Sequence, residues 1–286
     1  MTVNILYCEG NKNSLDMKII GQLLAKKCEV KPIGSKNFFA SSIIGDRAIN
    51  PNLAGLVDRD FDCQDMPIEN KPKPYNQNDI QLGWTWERKE IENYLLDPNV
   101  VKRALRGQKP SIDLDKYQSA LDKAAEKIAA YTAARTALFC SGFSNHWGEE
   151  VKVSGTKYCF PKKLGKEACE TNIRKIVEER KGDRIVQPKN VIEKFNQLLP
   201  QFRPGGVRFQ NYLTFFAGKD LLYSIIKDLE EFGFQSSEPG TNSTDAFLKR
   251  IENGIAKMDD PWTLIPEWQE LRQLIINTNF STQSTQ

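Results

Sequence analysis

Three groups of carboxylates carry the chemistry available to this sequence. The first is Glu9, followed by Gly10, at the end of the apolar run NILYC. The second is Asp58, Asp60 and Asp62 in LVDRDFD, again directly after an apolar run. The third is Glu87, Glu90 and Glu92 in WTWERKEIENYLL. Residues two apart on an extended segment share a face, so the three aspartates crowd and repel one another. A divalent cation offsets that repulsion, and hard oxygen donors select Mg²⁺ or Mn²⁺. The single histidine, His146, excludes zinc centres built on two or three imidazoles. Each group also has a plainer reading. Glu9 suits a helix N-terminus, the aspartates suit a solvated turn, and Glu87–Glu92 suits a charged strand or helix start.

The elements that must position these groups alternate. NILYC, CEVKPIG and NLAGLV read as strands, with SLDMKIIGQLLAKK and KNFFASSIIGD as helices between them. Ser14 is the expected N-cap of the first helix. The β-α-β-α-β order predicts a parallel sheet, where function gathers at the carboxyl ends of strands. Residues 64–83 read as an exposed loop and the start of WTWERKEIENYLL as a strand. Asp97-Pro98 reads as an N-cap and first helical residue. From Tyr117, the residues Leu121, Ala124, Ile128, Tyr131 and Leu138 predict one face of a long helix. VKVSGTKYCF is partly β-like. Further helices are expected near 166–181, 189–199, 219–232, 244–257 and 265–277, then a frayed tail over 278–286.

Taken together, the motifs YCEG at 7–10, DRD at 58–60 and EIEN at 90–93 resemble the Toprim domain. EIENYLL resembles the branch of Toprim nucleases related to the overcoming-lysogenization-defect (OLD) family, in particular the short effector nucleases of PARIS phage-defence systems. GKDLLYSII at 218–226 is similar to the C-terminal region of that group. The resemblance implies an α/β fold: a Toprim-like parallel sheet flanked by helices in a catalytic domain over 1–100, then a mostly helical region over 101–286. It implies a metal-dependent nuclease with Glu9, Asp58 and Asp60 as catalytic residues, and Glu9, Asp58, Asp60, Asp62 and Glu92, or Glu90 in its place, as metal ligands. It further implies antiviral defence with a host tRNA target, and a separate ABC-type ATPase partner that restrains a nuclease active as a homodimer.

Composition sets the outer limits. With 40% hydrophobic and 27% charged residues, the 286-residue chain is neither collagen-like, mucin-like nor wholly disordered. Residues 152–210 hold 14 basic against 6 acidic side chains. Lys157, Lys162, Lys163 and Lys166 are therefore candidates to neutralise phosphates of RNA or DNA, with Tyr158 and Phe160 as stacking faces. A solvated Lys-rich face is the plainer alternative. A signal peptide and a membrane span are not expected, so the chain reads as cytoplasmic with reduced cysteines. Other readings stay open: an aspartyl-phosphate (HAD-like) phosphatase with Asp58 as nucleophile, or a non-catalytic Toprim-like binding module. AGKD at 217–220 is no phosphate loop, because it lacks the earlier Gly and has Asp220 in place of Ser or Thr.

Overall fold

The computed structural model describes residues 2–25, 27–34, 38–62, 67–143, 147, 150–153, 156–180, 182, 185–235 and 241–280. His146 lies outside them, as does the end of the expected tail.

The chain divides into two compact units. One comprises residues up to Arg59, Pro67–Arg106 and everything from Lys249; the other comprises Asp60–Met66 and Gly107–Leu248. Asp60–Met66, from within the expected first domain, goes with the second unit, and the segment from Lys249 goes with the first.

The first unit is built on a five-stranded sheet with flanking helices. Its elements are β1 (Ile5–Cys8), α1 (Leu15–Leu24), β2 (Glu29–Pro32), α2 (Phe39–Arg47), β3 (Leu53–Val57), β4 (Lys73–Gln77), β5 (Ile80–Thr85), α3 (Ile91–Leu95) and α4 (Pro98–Ala104). The strand order is β2-β1-β3-β5-β4. All neighbours pair in parallel except β4, which runs antiparallel along the edge. Ser14 caps α1 by accepting from the Met17 N–H, and Asp97 caps α4 by accepting from the Asn99 N–H. Phe39 and Ile43 of α2 bury against Leu53, Val57 and Leu82 of the sheet. Arg47 ends α2 and donates to the carbonyls of Leu53, Gln81 and Leu82, tying β3 to β5. A Cβ on Gly83 would lie 1.9 Å from the Gly55 carbonyl oxygen, so this strand pair admits no side chain there.

Residues 64–83 were expected to be a loop, but they contain β4 and the start of β5. The hairpin turns at Asn78 and Asp79, both with positive φ (49° and 62°), which suits the twist of a two-residue hairpin. The strand escapes a pattern search because KPYNQ is polar and half-exposed, as an edge strand can be.

The second unit is helical. It contains α5 (Leu114–Cys140), the antiparallel pair β6 (Glu150–Lys152) and β7 (Cys159–Pro161), α6 (Lys166–Arg180), α7 (Pro188–Phe202), α8 (Val207–Gln210), α9 (Tyr212–Phe215), α10 (Gly218–Ser224) and α11 (Ile226–Glu231). The stripe expected on α5 is buried throughout. α12 (Ser243–Ala256) begins here and ends in the first unit, followed there by a 3-10 turn (Pro261–Leu264) and α13 (Pro266–Asn277). Phe280 is buried against Trp84 under the Arg47 guanidinium, so the chain stays packed beyond Thr278, where a frayed tail was expected. No helix among the described residues is long and apolar enough to cross a membrane. Cys8, Cys28, Cys159 and Cys169 are free thiols, whereas Cys140 is disulfide-bonded, contrary to the expectation of reduced cysteines throughout.

Candidate functional site

The first crossover runs from β1 to β2 on one side, and the next returns past β1 to β3. The topological switch therefore falls between β1 and β3, where open α/β sheets form their ligand crevice. Glu9 follows β1 and Asp58 follows β3. The Glu9 carboxylate accepts the Asp58 N–H at 3.4 Å, which brings the first two sequence groups together. Gly10 turns the chain with φ +102° and bridges to Gly34.

The third group is joined to the same strand end by backbone. The Arg59 N–H donates to the Lys89 carbonyl at 3.0 Å, and Lys89 Nζ donates back to the Arg59 carbonyl at 3.4 Å. Arg59 Nη1 donates to the Glu87 carbonyl at 2.5 Å. A shared extended face for Glu90 and Glu92 is not what forms. The strand ends at Thr85, Glu90 becomes the N-cap of α3, and Glu92 is buried in the first turn of that helix. Glu87 serves the fold: its carboxylate accepts from the Glu69 and Asn70 N–H groups, and its own N–H donates to Glu267. Arg88 pairs with Asp97 at 2.7 Å.

Asp16, in the first turn of α1, was not among the expected site residues. Burial raises the Cys8 thiol well above its ordinary value, and Asp16, Cys28, Asp58 and Glu9 raise it further. Three carboxylates thus act on one thiol at the carboxyl end of β1. The signal available in the sequence was an acid two residues after the Ser14 N-cap, in the first turn of the helix that follows Glu9-Gly10.

Asp60 and Asp62 belong to the helical unit. Asp60 is exposed, Phe61 is buried, and Asp62 lies 3.9 Å from the buried Arg208 guanidinium. Asp62 is thus engaged by a cation of the protein.

Glu9 and Asp58 carry the oxygen donors that a hard divalent cation takes, but the contact between them is carboxylate to backbone N–H. Among the described residues no three His, Cys, Asp or Glu side chains converge tightly enough to hold an ion. A cleft of about 740 Å³ beside β2, lined by Tyr7, Lys12, Glu29 and Asp46 among others, contains neither carboxylate, so cleft size does not locate the chemistry.

In the helical unit, Lys162, Lys163 and Lys175 line a cleft of about 810 Å³ with Thr171 and Asn172. Lys157 is exposed outside it, and Lys166 pairs with Glu170 at 3.7 Å. The expected stacking faces are used internally. Tyr158 stacks on Tyr223 at 4.2 Å, and Phe160 packs edge-on to Tyr158 and Tyr131.

No protein-family model matches the chain, and no curated protein matches it.

Proposed function

We propose that this protein is a Mg²⁺- or Mn²⁺-dependent nuclease of the Toprim type that hydrolyses phosphodiester bonds. The observation that carries the reading is the contact of Glu9 with the Asp58 N–H at the switch point of the sheet. Carboxylates gathered there, with no second histidine for imidazole chemistry, suit a hard cation and an anionic substrate.

Glu9 and Asp58 would hold the ion, and the Toprim resemblance implies Asp60 and Glu92 as further ligands. A bound divalent ion neutralises phosphate charge and activates water. The chain supplies the rest. Glu9 accepts a backbone N–H, which fixes one of its oxygens and orients the other. Arg59 and Lys89, locked to each other's carbonyls, keep the β3 and β5 ends in register. Lys162, Lys163 and Lys175 form a cationic track for phosphates.

The resemblance to short OLD-related effector nucleases extends the proposal. The target is RNA, a host tRNA in particular, the site of action is the cytoplasm, the role is antiviral defence, and an ABC-type ATPase holds the nuclease until infection releases it to dimerise.

The test is cleavage of tRNA and single-stranded DNA with Mg²⁺ or Mn²⁺. Glu9→Gln and Asp58→Asn should abolish cutting while leaving circular dichroism and melting unchanged. Cutting by both variants at the parent rate overturns the reading. Rapid turnover of small phosphomonoesters with phosphate trapped on Asp58 would replace it with the phosphatase reading.

A further inference from the structure

We infer that Tyr158 and Asp220 are positioning residues for the cationic cleft of the helical unit, fixing the chain that carries Lys162 and Lys163. The inference rests on the proposal that this cleft takes the phosphates of a nucleic acid. All of the residues involved belong to one unit.

Lys162 and Lys163 stand in the connection 162–165 between β7 and α6, and Lys175 lines the same cleft from α6. Downstream, the connection is tied to α6. The Gly165 carbonyl accepts the Cys169 N–H at 3.0 Å, and the Leu164 carbonyl accepts the Cys169 thiol at 3.6 Å. Upstream, it is tied to α10 and α5. The hydroxyl of Tyr158, the residue before β7, donates to Asp220. The Tyr158 ring lies flat on Tyr223, with an interplanar angle of 7°. Asp220 is fully buried, and its other carboxylate oxygen accepts from Arg135 at 2.5 Å. Phe160 meets Tyr131 edge-on at 6.3 Å. The two lysines are thus carried between two fixed points.

This gives a physical role to GKDLLYS, a segment that the carboxylate motifs leave unexplained. Asp220 and Tyr223 are three apart on α10 and so are neighbours on its surface. Both grip Tyr158. Stability alone gives little reason for the arrangement, because burying a carboxylate with a guanidinium costs desolvation that well-packed apolar residues avoid. What these groups add is direction. The stack sets the plane of the phenol, and the carboxylate, itself held by Arg135, sets its hydroxyl. A lysine on a fixed backbone loses less freedom on meeting a phosphate than one on a loose loop.

The experiment uses the full chain and a fluorescein-labelled single-stranded RNA, with EDTA present so that no metal step contributes. Affinity is measured against salt, and order of the connection by hydrogen exchange over residues 162–165. Tyr158→Phe removes one hydroxyl and no charge. It should lower the log–log salt slope by about one unit, the loss of one phosphate contact, and speed exchange. If Tyr158→Phe fails to fold, Tyr223→Leu carries the test, because it removes the stack and leaves the hydroxyl bond and the ion pair in place; the same two changes are expected. A side chain that serves stability alone would lower the melting temperature and leave the slope at the parent value. That result, with a reduced slope in the Lys162→Ala/Lys163→Ala double variant, overturns the positioning role alone. A parent slope in the double variant overturns the nucleic-acid reading of the cleft beneath it.

Discussion

The ionisation of Glu267 is coupled to the fold. Burial raises its carboxyl to about 7, against hydrogen bonds from the Glu87 N–H and the Tyr94 hydroxyl that favour the charged form. A carboxyl raised in the folded state holds a proton that the unfolded chain has released. Its contribution to stability is therefore complete below about 4.5, its ordinary value, and is lost as pH rises through about 7. Glu267→Gln keeps the shape without the ionisation. The difference in unfolding free energy, wild type minus variant, should fall from about pH 4.5 to about pH 7 and level off above that. A flat difference would show that the carboxylate is as comfortable folded as unfolded. At the same scale, Lys162→Ala and Lys163→Ala should weaken nucleic-acid binding and reduce its dependence on salt, by about one unit of log–log slope for each phosphate no longer neutralised. An unchanged salt slope would make this cleft an ordinary solvated surface.

At the scale of elements, Gly83 sets the spacing of β3 and β5. Its missing side chain allows close approach to Gly55, and the same strand pair leads into the hydrogen bonds of Arg59 with Lys89 and Glu87. Gly83→Ala has no room to relax, because the obstacle is backbone. Urea unfolding should show a destabilisation above the ordinary ~1 kcal/mol of a point substitution, with cleavage falling in step. The first three strands and their helices were legible because each carries its own local signal: an apolar run, Ser14 as cap, a glycine turn. The same holds for α5, whose buried stripe repeats at helical spacing. The edge strand β4 lacked such a signal, since its polar residues face solvent and its turn depends on two left-handed residues without glycine. The three carboxylate groups were legible as separate motifs. The contact of Glu9 with the Asp58 N–H was not, because it depends on strand order, and neither was the engagement of Asp62 by Arg208, 146 positions away. Tyr158 shows the reverse error. An aromatic beside lysines reads as a stacking face for bases, but its ring is already paired with Tyr223.

At the scale of the molecule, the sheet unit is completed by the last part of the chain. Glu267 holds the Glu87 N–H, Trp268 packs on Tyr94, Arg272 donates to the carbonyls of Leu23 and Leu24, and Phe280 covers Trp84. A chain cut after Leu248 should retain helix signal in circular dichroism but lose the cooperative melting of the sheet unit and all cleavage. Full activity in that fragment would show that the returning segment is dispensable.

This threading sets a clock on synthesis. The ribosome delivers Glu9, Asp58 and Glu92 early, then the whole of Gly107–Leu248, and only then the segment that finishes the sheet. At ~5–20 residues per second that interval lasts on the order of ten seconds. If the chain is the nuclease proposed above, the sheet unit that carries Glu9 and Asp58 stays incomplete until Pro266–Asn277 leaves the exit tunnel. Stalled chains arrested before Pro266 should be inert towards RNA, and chains arrested far enough downstream for Phe280 to emerge should cut.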